Sequence, residues 1–235
     1  REECLKCLNT ENTILSLIIN RRGFFNKSYN SLERIGPHSE EIISIIIGSV
    51  LGDSHLEKRK EGVGTRIHFE QCSNNVEYLM WFHKYIAERG YSSKTKPKLH
   101  KRIRKEGKIF YHYRINSYTF SSLNWIHEMF YKDGVKIIPK DIEKYLTPLA
   151  LAIWFMDDGS VSGQGAKIAT NCFKEEELKE MCKKLKIKYN LDTSIQSGGV
   201  KKGYVLYIKK DSMGTLSKII KEYMVKSLHY KLNKY

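Results

Sequence analysis

The sequence contains no apolar run long enough to cross a bilayer. Its longest, Ile42 to Leu51 and Leu149 to Met156, fall far short of the ~20 residues that a spanning helix requires. Residues 13 to 19, with Arg21 and Arg22 behind them, make too short an apolar core for a signal peptide. Paired cysteines are lacking as well. The 5 present, Cys4, Cys7, Cys72, Cys172 and Cys182, form an odd, scattered set, which implies reduced thiols in an intracellular compartment. Cys4 and Cys7 make a CxxC, but no second pair at zinc-site spacing accompanies it. Acidic residues are scarce: 26 Asp and Glu stand against 41 Lys and Arg, a net charge of +15. That surplus calls for a polyanionic partner, and without membrane-spanning features nucleic acid is favoured over a membrane surface. Lysine far outnumbers arginine, and Ile, Asn and Tyr are abundant, as an AT-rich coding sequence produces. The chain opens on Arg1, which suggests an excised or processed product.

Two strongly apolar helices are predicted. Ser39 caps the first, Glu40 and Glu41 suit its positive end, and apolar residues from Ile42 to Leu51 fill most of its circumference before Gly52 and Asp53. Thr147 caps the second, Pro148 fits its first turn, and Leu149 to Met156 run into Asp157, Asp158 and Gly159. Helices apolar on nearly all sides are buried. The two are succeeded by similar elements. After the first come a strand at 64–71, a helix near 75–89, strand runs near 94–104 and 109–116, and a helix near 118–131. After the second come a strand at 165–171, a helix near 174–189, runs at 193–198 and 203–209, and a helix near 211–225. With one further strand per copy, the order is αββαββα twice, so the fold class is mixed α+β built from two pseudo-symmetric repeats. The expected divisions are an extension or linker at 1–38, a first repeat at 39–140 and a second at 141–235. One chain thus acts as a pseudo-dimer and needs no second copy.

The positive charge is ordered. Over residues 94–115, Lys96, Lys98, His100, Arg102 and Arg104 alternate with Leu99 and Ile103, the period of a half-buried strand. Residues 105–108 then turn the hairpin, and Phe110, His112 and Arg114 continue the pattern. The second half carries its own basic loop with Lys201 and Lys202. A solvated face would explain one such run. Charges lining a sheet with an apolar back fit a nucleic-acid groove better, with lysines on phosphates and Arg66, Arg102, Arg104, Arg114, Ser194 and Gln196 reaching base edges. His68, Lys167, Tyr207 and Lys209 complete the expected interface. With ~6 to 10 phosphates engaged, affinity falls roughly 10³- to 10⁵-fold between 50 and 200 mM salt.

An aspartate at a helix C-terminus faces the negative end of the helix dipole, so two such ends brought together need a cation between them. Mg²⁺ suits carboxylate oxygens and bridges to phosphates, with Mn²⁺ as a substitute. One aspartate per half, Asp53 and Asp158, beneath a basic sheet describes a site for metal-assisted phosphodiester hydrolysis.

The segments IIGSVLGDS (46–54) and LAIWFMDDG (151–159), with the late HYKL (229–232), resemble the LAGLIDADG homing endonucleases, specifically the single-chain, two-motif kind encoded in fungal mitochondrial group I introns. The resemblance covers about residues 40 to 235. It implies a saddle of antiparallel sheets over two central packed helices, a long asymmetric double-stranded DNA target, a staggered cut leaving 3′ overhangs, and a role in intron mobility in the mitochondrial matrix. It also implies that Asp53 and Asp158 are the metal-binding acids, with Asp157 a neighbour. Lys136 and Lys231 become basic residues near the metals, and Gln71 and Asn171 the polar residues that position water. There are departures. Small residues at the third and seventh motif positions let the helices approach; Gly48 and Gly52 supply them in the first motif, but Ile153 and Asp157 stand there in the second, so close packing is expected to rest on the first helix. Ser54 replaces the terminal glycine of the first motif, and His55 beyond it reads as a solvated or structural histidine. The rival implication is an RNA maturase of the same fold that assists group I intron splicing, with or without DNA cleavage. A non-enzymatic DNA-binding regulator is a third reading. Intact acids and lysines favour cleavage.

Overall fold

A computed structural model describes residues 30–58, 62–103, 107–200 and 202–235. The expectations for Cys4, Cys7, residues 13–19, Arg104, Lys201 and the start of the 105–108 turn lie outside the described residues. Two helices form the centre. The first, α1 (Glu40–Leu51), starts where the Ser39 hydroxyl accepts the Ile42 N–H at 3.3 Å; its counterpart in the second half (Pro148–Asp158) starts where Thr147 accepts the Ala150 N–H at 3.1 Å. The second cap also meets the body of α1, since the Thr147 hydroxyl donates to the Ser44 hydroxyl at 2.8 Å. Along the two helices Ile45, Ile47, Val50, Leu151, Ile153, Trp154 and Phe155 are wholly buried. Each such large side chain contributes roughly 1.5–3 kcal/mol of transfer free energy, which makes the two central helices a large part of the core.

The helices come unusually close. A Cβ on Gly48 would stand 2.3 Å from the Ala150 carbonyl oxygen and 2.8 Å from Ile153 Cβ, and one on Gly52 would stand 2.5 Å from Asp157 Oδ2. The first helix therefore supplies the smallness and the second fills it with Ile153 and Asp157, in line with the motif departures.

Each central helix leads into a sheet. After α1 come β1 (His55–Lys58), β2 (Thr65–Cys72), α2 (Val76–Glu88), β3 (Leu99–Ile103), β4 (Ile109–Asn116), α3 (Asn124–Phe130) and the short pair β5 (Tyr131–Lys132) and β6 (Val135–Lys136). The second central helix, α4 (Pro148–Asp158), leads to β7 (Gly159–Ser162), β8 (Gly165–Ala169), α5 (Glu175–Tyr189), β9 (Thr193–Ser197), β10 (Tyr204–Ile208) and α6 (Met213–Ile220), ending in a 3-10 stretch over Lys226–Leu232. Both four-stranded sheets are antiparallel with equivalent orders, β1-β2-β4-β3 and β7-β8-β10-β9. The mixed α+β class and the doubled arrangement stand as read from the sequence.

Three local expectations differ. β3 is exposed on both faces, with Leu99 and Ile103 at 50 % and 63 %, because it is the edge strand and no helix among the described residues covers its back. Lys96 and Lys98 stand in coil ahead of it rather than on the strand. The helices expected near 118–131 and 211–225 shorten to α3 and α6, with 3-10 turns at their starts taking up the difference. Residues 30–38 have irregular backbone but are anchored. The Arg34 guanidinium donates to the Thr119 carbonyl at 3.0 Å, and His38 meets the Tyr91 hydroxyl at 2.6 Å and the Ser122 hydroxyl at 2.8 Å, which fastens this segment to the first half.

Candidate active site and nucleic-acid interface

The C-terminal ends of α1 and α4 abut, and three carboxylates collect there. Asp53 opens to solvent, while Asp157 and Asp158 are half-buried. Asp157 reaches across the seam: its Oδ2 accepts the Asp53 N–H at 3.2 Å, and its other oxygen lies 3.5 Å from the Gln71 amide nitrogen. The same buried Gln71 amide donates to Asp53 Oδ2 and is itself steadied by Asn75, whose amide donates to Gln71 Oε1 at 3.0 Å. The Asp158 carboxyl has no hydrogen-bond partner among the described residues.

Electrostatics raises the proton affinity of all three acids. Loss of hydration, and then the charge of Asp53, pushes Asp158 up to about 7 against the pull of Lys136 and Lys231. Asp157 goes well above the usual carboxylate range by burial and by Asp53, a rise that the neighbouring Tyr78 phenol partly offsets. Asp53 rises less markedly, since the Gln71 hydrogen bond and the two lysines oppose desolvation. Tyr78, with no exposed surface, is itself held well above its ordinary value, by burial first and then by the three aspartates.

Each helix end also has a lysine. The Lys136 ammonium donates to the Gly52 carbonyl at 3.1 Å and the Ser54 carbonyl at 3.4 Å, and Lys231, 7 % exposed, donates to the Met156 carbonyl at 2.5 Å and the Asp157 carbonyl at 3.4 Å. A cation on the last carbonyls of a helix complements its dipole. Burial lowers the proton affinity of both lysines; Cys172 and then the three aspartates oppose this at Lys136, and the aspartates alone at Lys231. The coupling is crossed between the halves: Asp53 is influenced more by Lys231 than by Lys136, and Asp158 the reverse.

The donor set fits a hard divalent cation. It is all oxygen, three carboxylates crowd its centre, and Asp158 has no hydrogen-bond partner among the described residues. Among the described residues no group of three or more His, Cys, Asp or Glu is arranged to hold a metal alone. Asp53 and Asp158 would therefore share the ion with water or substrate oxygens, as Mg²⁺ prefers. The second expected water-positioning residue behaves differently. Asn171 is exposed, and its amide donates to the Lys202 carbonyl in the β9–β10 hairpin, so the structure does not bring it to the acids.

The first sheet turns Ile67, Phe69 and Ile115 to the core and Arg66, His68, Glu70, His112 and Arg114 outward. His100 and Arg102 stand on the exposed edge strand, with His100 stacked on His112 at 5.6 Å between ring centroids. In the second sheet, cross-strand register sets Lys167, Tyr207 and Ser194 in one row and Gln196 beside Val205 in the next. Lys202 and Lys209 are exposed at either end of β10. The expected interface residues that are described thus lie on the two sheets or just beyond their strands.

A family model described as the LAGLIDADG DNA endonuclease family matches residues 43–216. The chain belongs to the LAGLIDADG DNA endonuclease family. Among LAGLIDADG relatives, the cytochrome b mRNA maturase bI2 of Saccharomyces cerevisiae is 43% identical over 208 residues, which is 86% of this chain and 49% of that protein. The chain thus spans about half the length of that relative. The intron-encoded endonuclease ai4 of Dictyostelium discoideum is 38% identical over 162 residues, covering 68% of this chain and 91% of that one. Among solved structures, the homing endonuclease I-WcaI bound to its DNA recognition sequence is similar with a TM-score of 0.76 and 25% identity, covering 88% of this chain and 90% of that chain. Among the described residues no helix is long and apolar enough to cross a membrane.

The motif placed Asp53 and Asp158 at helix ends, but four other participants carried no such signal. Asp157 reads as a neighbour in sequence and stands in the space that Gly52 leaves open. Tyr78 lies on the buried face of α2, where its spacing marks only core. Glu70, in a strand otherwise read for its basic residues, and Glu57, in β1, which the sequence did not locate, turn out to bind Arg114 and Arg66.

Proposed function

We propose that this chain is a divalent-metal-dependent endonuclease that cuts double-stranded DNA at a long, asymmetric site. The observation that carries the reading is the meeting of Asp53 and Asp158 at two abutting helix ends, each end held by a buried or half-buried lysine. Asp53 and Asp158 would hold Mg²⁺ or Mn²⁺. A divalent cation bound there supplies polarisation of the scissile phosphate and lowers the pKa of water. The protein's own groups do the rest. Gln71 fixes the Asp53 carboxylate, Asp157 fixes the Asp53 backbone, and Lys136 and Lys231 place positive charge where a phosphorane would accumulate negative charge. The basic first sheet would orient the duplex, and the two halves, being unequal in sequence, would read unequal half-sites.

One chain supplies both acids, so the active form is a monomer. Each acid would serve one strand, the products would carry 3′ overhangs, and the biological outcome would be intron mobility within the mitochondrial matrix. A second reading has its own support: the bI2 relative, 43% identical, is named an mRNA maturase. On that reading the outward faces bind the host group I intron RNA.

The test is a duplex spanning the junction of the exons that flank the intron, incubated with Mg²⁺, Mn²⁺, Ca²⁺ or a chelator, with both strands mapped on a denaturing gel. Cleavage of both strands in Mg²⁺ or Mn²⁺ and none in chelator is expected. Assisted splicing of the intron by a preparation that cuts no DNA would replace the nuclease with the maturase.

A further inference from the structure

The outward face of the first sheet repeats one side-chain device at two places. Arg66 of β2 lies opposite Glu57 of β1, and its Nε and Nη2 both donate to Glu57 Oε2, at 3.0 and 2.6 Å. Arg114 of β4 lies opposite Glu70 of β2, and its Nε and Nη2 both donate to Glu70 Oε2, at 3.2 and 3.0 Å. In each case one carboxylate oxygen occupies the flank of the guanidinium. The far edge, Nη1 with the second Nη2 hydrogen, makes no hydrogen bond among the described residues. That edge presents two parallel donors, the arrangement that meets O6 and N7 of guanine in the major groove.

A residue meant for phosphate needs no such arrangement. Phosphate accepts a cation from many directions, and a carboxylate beside the cation repels it. An acid that fixes the plane of an arginine is instead suited to a base edge, where direction decides discrimination. Glu70 is well placed for this. Arg102 at 3.9 Å, His112 at 3.7 Å and His68 at 3.9 Å surround it besides Arg114. Behind β2 and β4, buried Phe69 and Ile115 hold the strands that carry the pairs. The device belongs to one half only: the sequence contains no arginine after Arg114. The second sheet offers Lys167, Ser194, Gln196 and Tyr207 at its outward positions instead.

We propose that Arg66 and Arg114 are guanine readers held in plane by Glu57 and Glu70, and that the half-site under the first sheet carries two guanines which the other half-site lacks. The proposal rests on the DNA-binding reading of the two sheets. Glu57 and Glu70 act through their arginines and are positioning residues. Arg66 and Glu70 stand four positions apart on β2, ~13 Å, the length of about four base steps.

The full chain, in metal-free buffer, is used to select from a randomised duplex library, and the bound pool is sequenced. The wild type is expected to enrich two guanines within one half of the site. Arg114→Ala should erase preference at one of them by roughly 5- to 150-fold, and Arg66→Ala at the other. Glu70→Ala should relax the guanine preference at the Arg114 position without weakening overall binding, and Glu70→Gln, which keeps an accepting oxygen, should restore most of it. Arg114→Lys, which keeps charge but not the fork, should behave as Arg114→Ala in preference while holding affinity for phosphate. Uniform weakening across all sequences by the arginine variants would overturn the proposal, as would unchanged discrimination in Glu70→Ala. Guanine selection without any cleavage by the wild type would overturn the nuclease reading alone. Failure of the folded wild type to bind any duplex would overturn both.

Discussion

Replacing Gly48 with alanine sets two known effects against each other. In an ordinary helix interior the change stabilises by ~1 kcal/mol, because glycine is the poorer helix former. Here the new Cβ would stand 2.3 Å from the Ala150 carbonyl oxygen. A carbon–oxygen contact relaxes near 3.3 Å, so the helices must part by roughly 1 Å. The obstacle is backbone of α4 and cannot rotate aside. Overpacking of this kind costs ~1–3 kcal/mol, and a backbone obstacle belongs at the upper end, leaving a net loss of about 2 kcal/mol. For a chain of this size that lowers Tm by about 4–8 °C. Parting the helices also separates Asp53 from Asp158, and a misplacement near 1 Å costs on the order of 100-fold in rate. Thermal unfolding followed by circular dichroism, with a cleavage time course on the same preparation, reads both. A Tm raised by about 2–4 °C, the value helix propensity alone gives, with cleavage unchanged would refute the close-packing argument.

Asp157→Asn keeps an oxygen for the Asp53 N–H and removes an acid already held well above the usual range. Cleavage should therefore stay within about tenfold of wild type, and a loss as deep as that of Asp158→Asn would make Asp157 a metal ligand. Lys231→Met leaves the Met156 and Asp157 carbonyls without their buried donor, so unfolding in chelator should become easier by ~1–3 kcal/mol; an unchanged denaturation midpoint contradicts the capping role. His38, bonded to Tyr91 and Ser122, has its proton affinity lowered by burial. Its unfolded form takes up a proton first, so its contribution to stability is present above the unfolded pKa near 6.5 and is lost as pH falls through the lower folded pKa. The wild type should lose more stability than His38→Gln between about pH 7 and pH 5, and parallel pH profiles for the two would count against this.

The central helices were legible because everything that defines them is local: a capping hydroxyl, an apolar run, and an aspartate at the end. The doubled order emerged from comparing the elements that succeed each helix. Gly48 and Gly52 were also informative, since small residues on one helix require a neighbour to fill the space, and Ile153 and Asp157 do so. What sequence did not carry was contact between strands and between halves. The alternation of Leu99 and Ile103 resembles a half-buried strand, but β3 is an edge that none of the described helices covers. The match of Gln71 to Asn171 holds along the chain and breaks in space, where Gln71 binds Asp53 and Asn171 turns to Lys202. Glu57 and Glu70 are unremarkable in a basic sequence until register sets them opposite Arg66 and Arg114. The crossed influence of Lys136 on Asp158 and Lys231 on Asp53 likewise arises only when the two helix ends meet.

The central claim is that one aspartate from each half joins in a single hydrolytic site for duplex DNA. Its most direct test is strand-resolved cleavage of the exon-junction duplex by Asp53→Asn and Asp158→Asn in Mg²⁺, with binding measured in parallel. The account predicts that each variant binds the duplex near the wild-type level and yields no double-strand break. A double-strand break at the wild-type rate by either variant would contradict it.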